Sequence, residues 1–290
     1  MNTNLVQTQI ENSFLKDSWH RLKQNKFALT GLITLLVLVF FALVGPSFSP
    51  LKYYETNLAL KNQPPSPIFW FGTDELGRSI FVRIWWGARI SLFVGITAAL
   101  IDMLIGIFYG GFAGLLGGKI DEIMMRTADM LYSLPHLLIV ILLTVIMQQG
   151  ITTIIIAITL TGWINMARIT RAQILSLKEH DFVTAASAMG ASKTRILIRH
   201  LLPNCFGPII TTVTLTIPHA IFTEAFLSFL GLGVQAPIAS WGTMAADGLP
   251  ALSFYPWRLF FPATFISITM LAFNLLGDGL RDALDPWLKK

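Results

Sequence analysis

Charge is scarce in this sequence. Only 13% of its 290 residues are Asp, Glu, Lys or Arg, against about 25% in an ordinary soluble domain. Hydrophobic residues make up 54% and the mean hydropathy is +0.64. So apolar a chain cannot hide its side chains in one soluble core, and it is expected to be an integral membrane protein. Cysteine is nearly absent: Cys205 stands alone, which excludes an intrachain disulfide and a cysteine metal cluster. The five histidines, at positions 20, 136, 180, 200 and 219, show no H-x-x-x-H or zinc spacing, and each reads as an interface or packing residue. There is no G-x-x-x-x-G-K-[ST] phosphate loop, so the chain is not expected to hydrolyse ATP alone. G-x-S-x-G is also missing, and with it a nucleophile elbow. No enzyme activity of its own is expected. The N-terminus lacks the small-x-small cleavage pattern of a signal peptide. The net charge of +5 is spread over many short segments and forms no stripe, so nucleic acid is not an expected partner.

What is present is a series of six apolar segments, at 27–48, 90–116, 128–148, 151–167, 206–232 and 259–276. The first would cover ~33 Å at ~1.5 Å per residue, enough for the hydrocarbon core of a bilayer. Asp102 lies inside the second, followed by Gly106, Gly110, Gly111 and Gly114, small residues that permit close helix contact. Pro135 interrupts the third; Pro208, Pro218 and Pro262 fall in the last two. The expected organisation is an N-terminal segment 1–26, a first span 27–48, an exterior loop 49–89, a core of five spans over 90–280 and a tail 281–290. Residues 14–26 can form a short amphipathic surface helix or a frayed basic flank.

Six spans place both ends on one side. Most of the 21 Lys and Arg residues then fall on that side, with only Lys52, Lys61, Arg78, Arg83, Arg89 and Arg258 opposite. The bias predicts cytoplasmic termini. In the exterior loop, Trp70, Trp85 and Trp86 suit an interfacial belt. Residues 72–77 read as a turn in which Asp74 caps backbone amides. Asp74 and Arg78 are candidates to pair there, either shaping an outer vestibule or docking face or simply bracing the turn.

The longest polar interruption within the core is 168–205. One amphipathic helix is expected over about 177–189, with Ala185, Ala186 and Ala188 leaving it thin. Gly190 permits a sharp bend, and Ser192 caps a second helix that carries Lys193, Arg195, Ile196, Leu197, Arg199 and His200. Pro203 marks the return toward the membrane. The segment reads either as a docking surface or as a basic loop obeying the charge bias. Asp102 and Glu224 lie within expected spans, where a charge costs about 2.5–3.5 kcal/mol on insertion scales. They must face protein, water or a span end. One reading puts them on a polar path; for Glu224 the other is a structural partner to amides around Gly231 and Gly233.

Glu179, Asp181, Phe182, Val183, Ala185, Ala186, Gly190, Ala191, Arg195, Ile196, Arg199, His200, Leu202, Pro203 and Asn204 together resemble the EAA loop of ABC importer permeases. GTDELGRSIFVRIWWGARISLFVG (72–95), EAFLSFLGLG (224–233), SWGTM (240–244) and the ending 255–286 are similar to the C-type permease of dipeptide and oligopeptide importers, in the same order. Ser79, Val82, Ala239 and Ala263 depart from that pattern. The resemblance implies an all-α type I ABC importer permease with six transmembrane helices in a bacterial inner membrane. It implies as partners a second, unlike permease subunit, two ATP-binding subunits, an extracytoplasmic peptide-binding protein and a peptide substrate. ATP and Mg2+ would belong to the ATPase subunits, with no cofactor on this chain. Glu179, Asp181, Ala185, Ala186, Gly190, Arg195, Arg199, His200 and Pro203 would couple to the ATPase. The alternatives are a nickel or other small-solute importer, a standalone secondary transporter and, more remotely, an intramembrane enzyme.

Overall fold

The computed structural model describes residues 16–284. The parts of the expected terminal segments at 1–15 and 285–290 lie outside that range. Regular structure among the described residues is helical, with one isolated bridge between Thr73 and Ser79. The first helix, α1, occupies 16–24. Asn25 then starts α2 (Lys26–Val44), its side chain accepting from the amides of Phe27 and Ala28 at 3.1 and 3.2 Å. This cap satisfies donors that a helix start leaves open.

After the loop 49–79 come α3 (Ile80–Leu116), α4 (Gly118–Tyr132), α5 (His136–Met147) and α6 (Ile151–Leu177). Two short helices, α7 (Asp181–Ala188) and α8 (Lys193–Ile196), are followed by a π turn (Leu197–Leu201) and by α9 (Leu202–Asn204). Then come α10 (Phe206–Phe229), α11 (Trp241–Gly248) and α12 (Trp257–Leu284). Five helices are long and apolar enough to cross a membrane, or six if α4 and α5 count as one broken span.

Several boundaries differ from those expected. The second span begins at Ile80 rather than 90, so the last ten residues of the expected exterior loop are helix. Burial is the reason: Ile80, Val82, Ile84 and Ala88 pack with Trp241 and Met244 in one cluster. Trp85, expected at the membrane interface, is buried, stacked on Phe41 at 5.0 Å between ring centres. The third span is not straight. α4 and α5 meet at 76° across Pro135, and α5 alone covers only ~18 Å. The fourth runs ten residues past 167 to Leu177, because Thr170 and Ile174 are still buried. The fifth ends at Phe229 rather than 232, and the sixth is extended to Trp257–Leu284, taking in the start of the expected tail.

The tightest seam is α3 on α6. Gly106, Gly110 and Gly114 lie four apart on one face of α3. A Cβ on Gly106 would stand 2.5 Å from the Met166 Cβ, and one on Gly114 3.0 Å from Ile174. Without side chains at these points the backbones close up, which is how small residues favour helix association in lipid. Outward faces are apolar, with Leu36, Phe40 and Leu43 of α2 exposed.

Candidate functional site

One end of the bundle is built around the bend from α6 to α10. Lys178, just past α6, donates from Nζ to the carbonyls of Gly114 and Leu115 at 3.1 and 3.0 Å. A cation there satisfies carbonyls that the end of α3 leaves without partners. Arg171 grips Asp121 of α4 with two hydrogen bonds, 2.5 and 2.6 Å. Arg168 binds Asp129 at 2.7 Å and lies over the Tyr132 ring. Three basic residues of the segment 168–205 are therefore committed to this chain's own helices.

The helix expected over 177–189 is shorter, α7 beginning at Asp181 after a turn at 178–180. Val183 and Ala186 face inward and share a cluster with Met166, Ile174, Ile196, Leu197, Leu201 and Ile209. Ala186 thus cannot be an outer contact, as the sequence reading had it; only Ala185 and Ala188 keep the outer face thin. Gly190 has φ +83°. Its amide donates to the Ser187 carbonyl at 2.9 Å, and that of Ala191 to Ala186 at 3.1 Å. This is the Schellman arrangement, and it needs a residue in the left-handed region. The Ser192 side chain accepts from the Arg195 amide at 3.4 Å, capping α8 as expected. The exposed face carries Glu179, Asp181, Ala185, Arg195, Arg199 and Pro203, with His200 half-buried. None of its charged side chains forms an ion pair among the described residues.

At the other end, Asp74 accepts from the amides of Leu76 and Arg78, both at 2.9 Å, and from Arg78 Nε at 2.7 Å. Arg83 of α3 also binds its Oδ2. Burial alone would raise the Asp74 carboxyl, but the guanidinium groups of Arg83 and Arg78 outweigh it and hold the group below its ordinary value. Asp74 and Arg78 are both buried, and within this chain they brace the turn. Arg83 reaches Asp247 at 3.8 Å. Arg258 ties Glu75 and the Asp247 carbonyl, each at 3.0 Å. Loop, α3, α11 and α12 are joined by charges the sequence reading did not pair.

Within the spans, Glu224 is fully buried. It accepts from Ser91 Oγ of α3 at 3.1 Å and from Ser228 Oγ at 2.8 Å. Ser91 Oγ in turn accepts from the Trp241 amide at 3.3 Å. The partners are hydroxyls, not the amides expected near Gly231 and Gly233, because α11 folds back so that its first turn meets α3. Asp102 is buried in the α3–α6 seam against Gly162, and its Oδ1 has no hydrogen-bond partner among the described residues. No group of three His, Cys, Asp or Glu residues that could hold a metal occurs among the described residues.

Residues 102–290 match the family described as the binding-protein-dependent transport system inner membrane component. Residues 13–65 match the N-terminal TM domain of oligopeptide transport permease C. The chain is 58% identical to the oligopeptide transport system permease protein OppC of Bacillus subtilis, over 96% of this chain and 91% of that protein. It is 59% identical to the dipeptide transport system permease protein DppC of the same organism, over 96% and 87%. A solved structure of the inward-facing MetNI methionine ABC transporter aligns with TM-score 0.60 at 16% identity, covering 70% of this chain and 96% of that one. That likeness bears on fold alone, the type I ABC importer permease fold. The chain belongs to the family of binding-protein-dependent transport system inner membrane components, multi-span permeases of bacterial ABC importers.

Proposed function

We propose, proceeding from that membership, that this chain is one permease subunit of an ATP-driven importer of dipeptides or short oligopeptides. The observation that carries the reading is near 60% identity, over almost the whole chain, to permeases named for those substrates. A second, unlike permease completes the path, two ATP-binding subunits sit on the cytoplasmic side, and an extracytoplasmic binding protein delivers the peptide. ATP and Mg2+ are used by the ATPase subunits; this chain binds no cofactor. Both termini face the cytoplasm, as the distribution of Lys and Arg favours.

The hairpin of α7 and α8 is the handle. Its outer face offers Glu179, Asp181, Ala185, Arg195, Arg199, His200 and Pro203 to the ATPase, with Gly190 setting the bend. Its inner face is packed by Val183, Ala186, Ile196 and Leu197 against residues of α6 and α10. A close-packed core transmits displacement rather than absorbing it. When the ATPases close on ATP, the hairpin carries the movement into α6 and α10, and the path alternates between outward and inward access.

The test is uptake of a labelled dipeptide into liposomes holding the complete complex, with binding protein outside and ATP inside. ATP-dependent accumulation supports the reading. Import of nickel or another small solute with no peptide uptake would favour the small-solute alternative. Transport by this chain without nucleotide-binding subunits would indicate a secondary transporter.

A further inference from the structure

The chain leaves α3 through two left-handed glycines. Gly117 has φ +65° and Gly118 φ +55°, so α4 starts in a new direction. The last carbonyls of α3 lose the amides that would have followed in register. Neither Gly114 nor Leu115 receives a backbone amide across this turn. Lys178 serves both instead, from Nζ at 3.1 and 3.0 Å. Its side chain is half-buried, and a Cβ on Gly117 would stand 3.8 Å from Nζ. The ammonium therefore lies over the turn itself. Arg171, two helical turns earlier, holds Asp121 in the first turn of α4. Two cations thus grip the chain on either side of the glycine turn.

Lys178 also opens the turn that leads into the hairpin. The Glu179 amide donates to the Ser176 carbonyl at 3.3 Å and the His180 amide to that of Leu177 at 3.2 Å. α7 follows at Asp181, so a cation fixed to α3 stands three residues from the first helix of the hairpin. Apolar contacts run the same way. Leu115, next to last in α3, shares a cluster with Val183, Ala186 and Leu197. A Cβ on Gly111 would meet the Leu197 side chain at 3.7 Å. α3 is unbroken from Ile80 to Leu116, ~55 Å of helix.

We propose that Lys178 is a positioning residue that fastens the α7–α8 hairpin to α3, so that hairpin and α3 move as one body. The proposal rests on the importer reading above and adds α3 to the helices that receive the hairpin's movement. Hydrogen bonds from a charged donor are about twice as strong as neutral ones. Drawing the ammonium off the two carbonyls would leave all three groups without partners in a half-buried place. Separating the hairpin from α3 therefore costs more than moving α3 with it. Lysine suits such a joint. Its three donors sit on a flexible stem, so it keeps hold of both carbonyls through small rotations.

The experiment uses the complete complex with its binding protein in liposomes, and reads peptide imported per ATP hydrolysed. Lys178→Met keeps the stem and removes the donors. It should assemble and hydrolyse ATP, with import per ATP about tenfold lower, the scale of one lost hydrogen bond to a charged group. Lys178→Arg, which keeps charge and donors, should recover the ratio. A lysine with a merely structural role would lower the amount of assembled complex and leave the ratio unchanged. A wild-type ratio in Lys178→Met overturns the proposal. If Lys178→Met does not assemble, spin labels are placed at Leu116→Cys and Ser187→Cys, both exposed positions, with Lys178 in place. In a labelled complex that imports peptide, an unchanged separation between nucleotide-free and ATP-trapped states supports a single body. A changed separation overturns it. The Ala185→Trp variant separates this proposal from the reading beneath it. Retained ATPase binding in Ala185→Trp would overturn the hairpin as the ATPase contact. Loss of binding there, with a wild-type ratio in Lys178→Met, would overturn the role of Lys178 alone. A wild-type complex that imports no peptide would overturn both.

Discussion

Arg171 of α6 and Asp121 of α4 face each other in a two-pronged ion pair, Nε to Oδ1 at 2.5 Å and Nη2 to Oδ2 at 2.6 Å. Fork-to-carboxylate geometry of this kind is the strong form of the interaction. Asp121 is buried while Arg171 is about one third exposed, so its worth is below that of a fully buried pair. The Asp121→Ala change should cost about 1–3 kcal/mol, read as a lower unfolding temperature of the purified complex. The double variant with both residues made apolar should recover part of the loss; a purely additive result would count against direct coupling.

Gly190 supplies a left-handed residue at the end of α7. A side chain there costs about 1–2 kcal/mol, and a β-branched one more. In Gly190→Val the hairpin should lose its angle, with peptide uptake falling further than ATP hydrolysis or with loss of assembly. The Gly190→Asn variant, whose side chain tolerates this conformation, should retain most uptake. Equal uptake and assembly for Val and wild type would remove the role of the bend.

Ala185 and Ala186 are neighbours in sequence with opposite surroundings. The exposed Ala185→Trp should leave the permease monodisperse yet prevent copurification of the ATPase subunits. Ala186→Trp pushes into the cluster of Val183 and Ile196, and overpacking of that kind costs about 1–3 kcal/mol or more. It should lower the unfolding temperature before any question of docking arises. Indistinguishable behaviour of the two would sink the assignment of faces.

Asp74 gives a pH dependence of defined sign. Its folded pKa is depressed, so its contribution is fully present above the unfolded value of about 3.9 and is lost as pH falls through the lower folded value. Removing the carboxylate leaves Arg78 and Arg83 buried without their counter-charge, a loss of about 3–5 kcal/mol. In Asp74→Asn the turn at 72–78 should be destabilised at neutral pH, and its acid limb should flatten. Asp247 works the other way. Burial first, and then Glu75, raise its pKa against the pull of Arg83. Its folded form therefore gains relative stability as pH falls. Urea or thermal unfolding across pH 3–7 separates the two.

Much of the α7–α8 hairpin was legible because its signals are local. Gly190, Ser192 and Pro203 act through their own backbone, and their spacing describes a bend between two short helices. The orientation of Ala186 was not legible, since three nearby alanines look alike until the turn at 178–180 sets the phase of α7. Asp74 as a turn cap was likewise local, whereas its third partner, Arg83, required knowing that α3 starts at Ile80. The Asp121–Arg171 and Glu75–Arg258 pairs join residues 50 and 183 positions apart, and no periodicity reports such distances.

The number of apolar segments, the bias of basic residues and the order of the motifs came from the chain alone, because hydropathy and charge act on each segment separately. The ends of the spans, the inward and outward alanines and the partners of Glu224 came only from the packed molecule. In a membrane helix the lipid-facing and protein-facing sides are both apolar, so the pattern that marks an inner face in a soluble helix is weak here. Close approach at Gly106, Gly110 and Gly114, not periodicity, decides which face α3 turns toward α6.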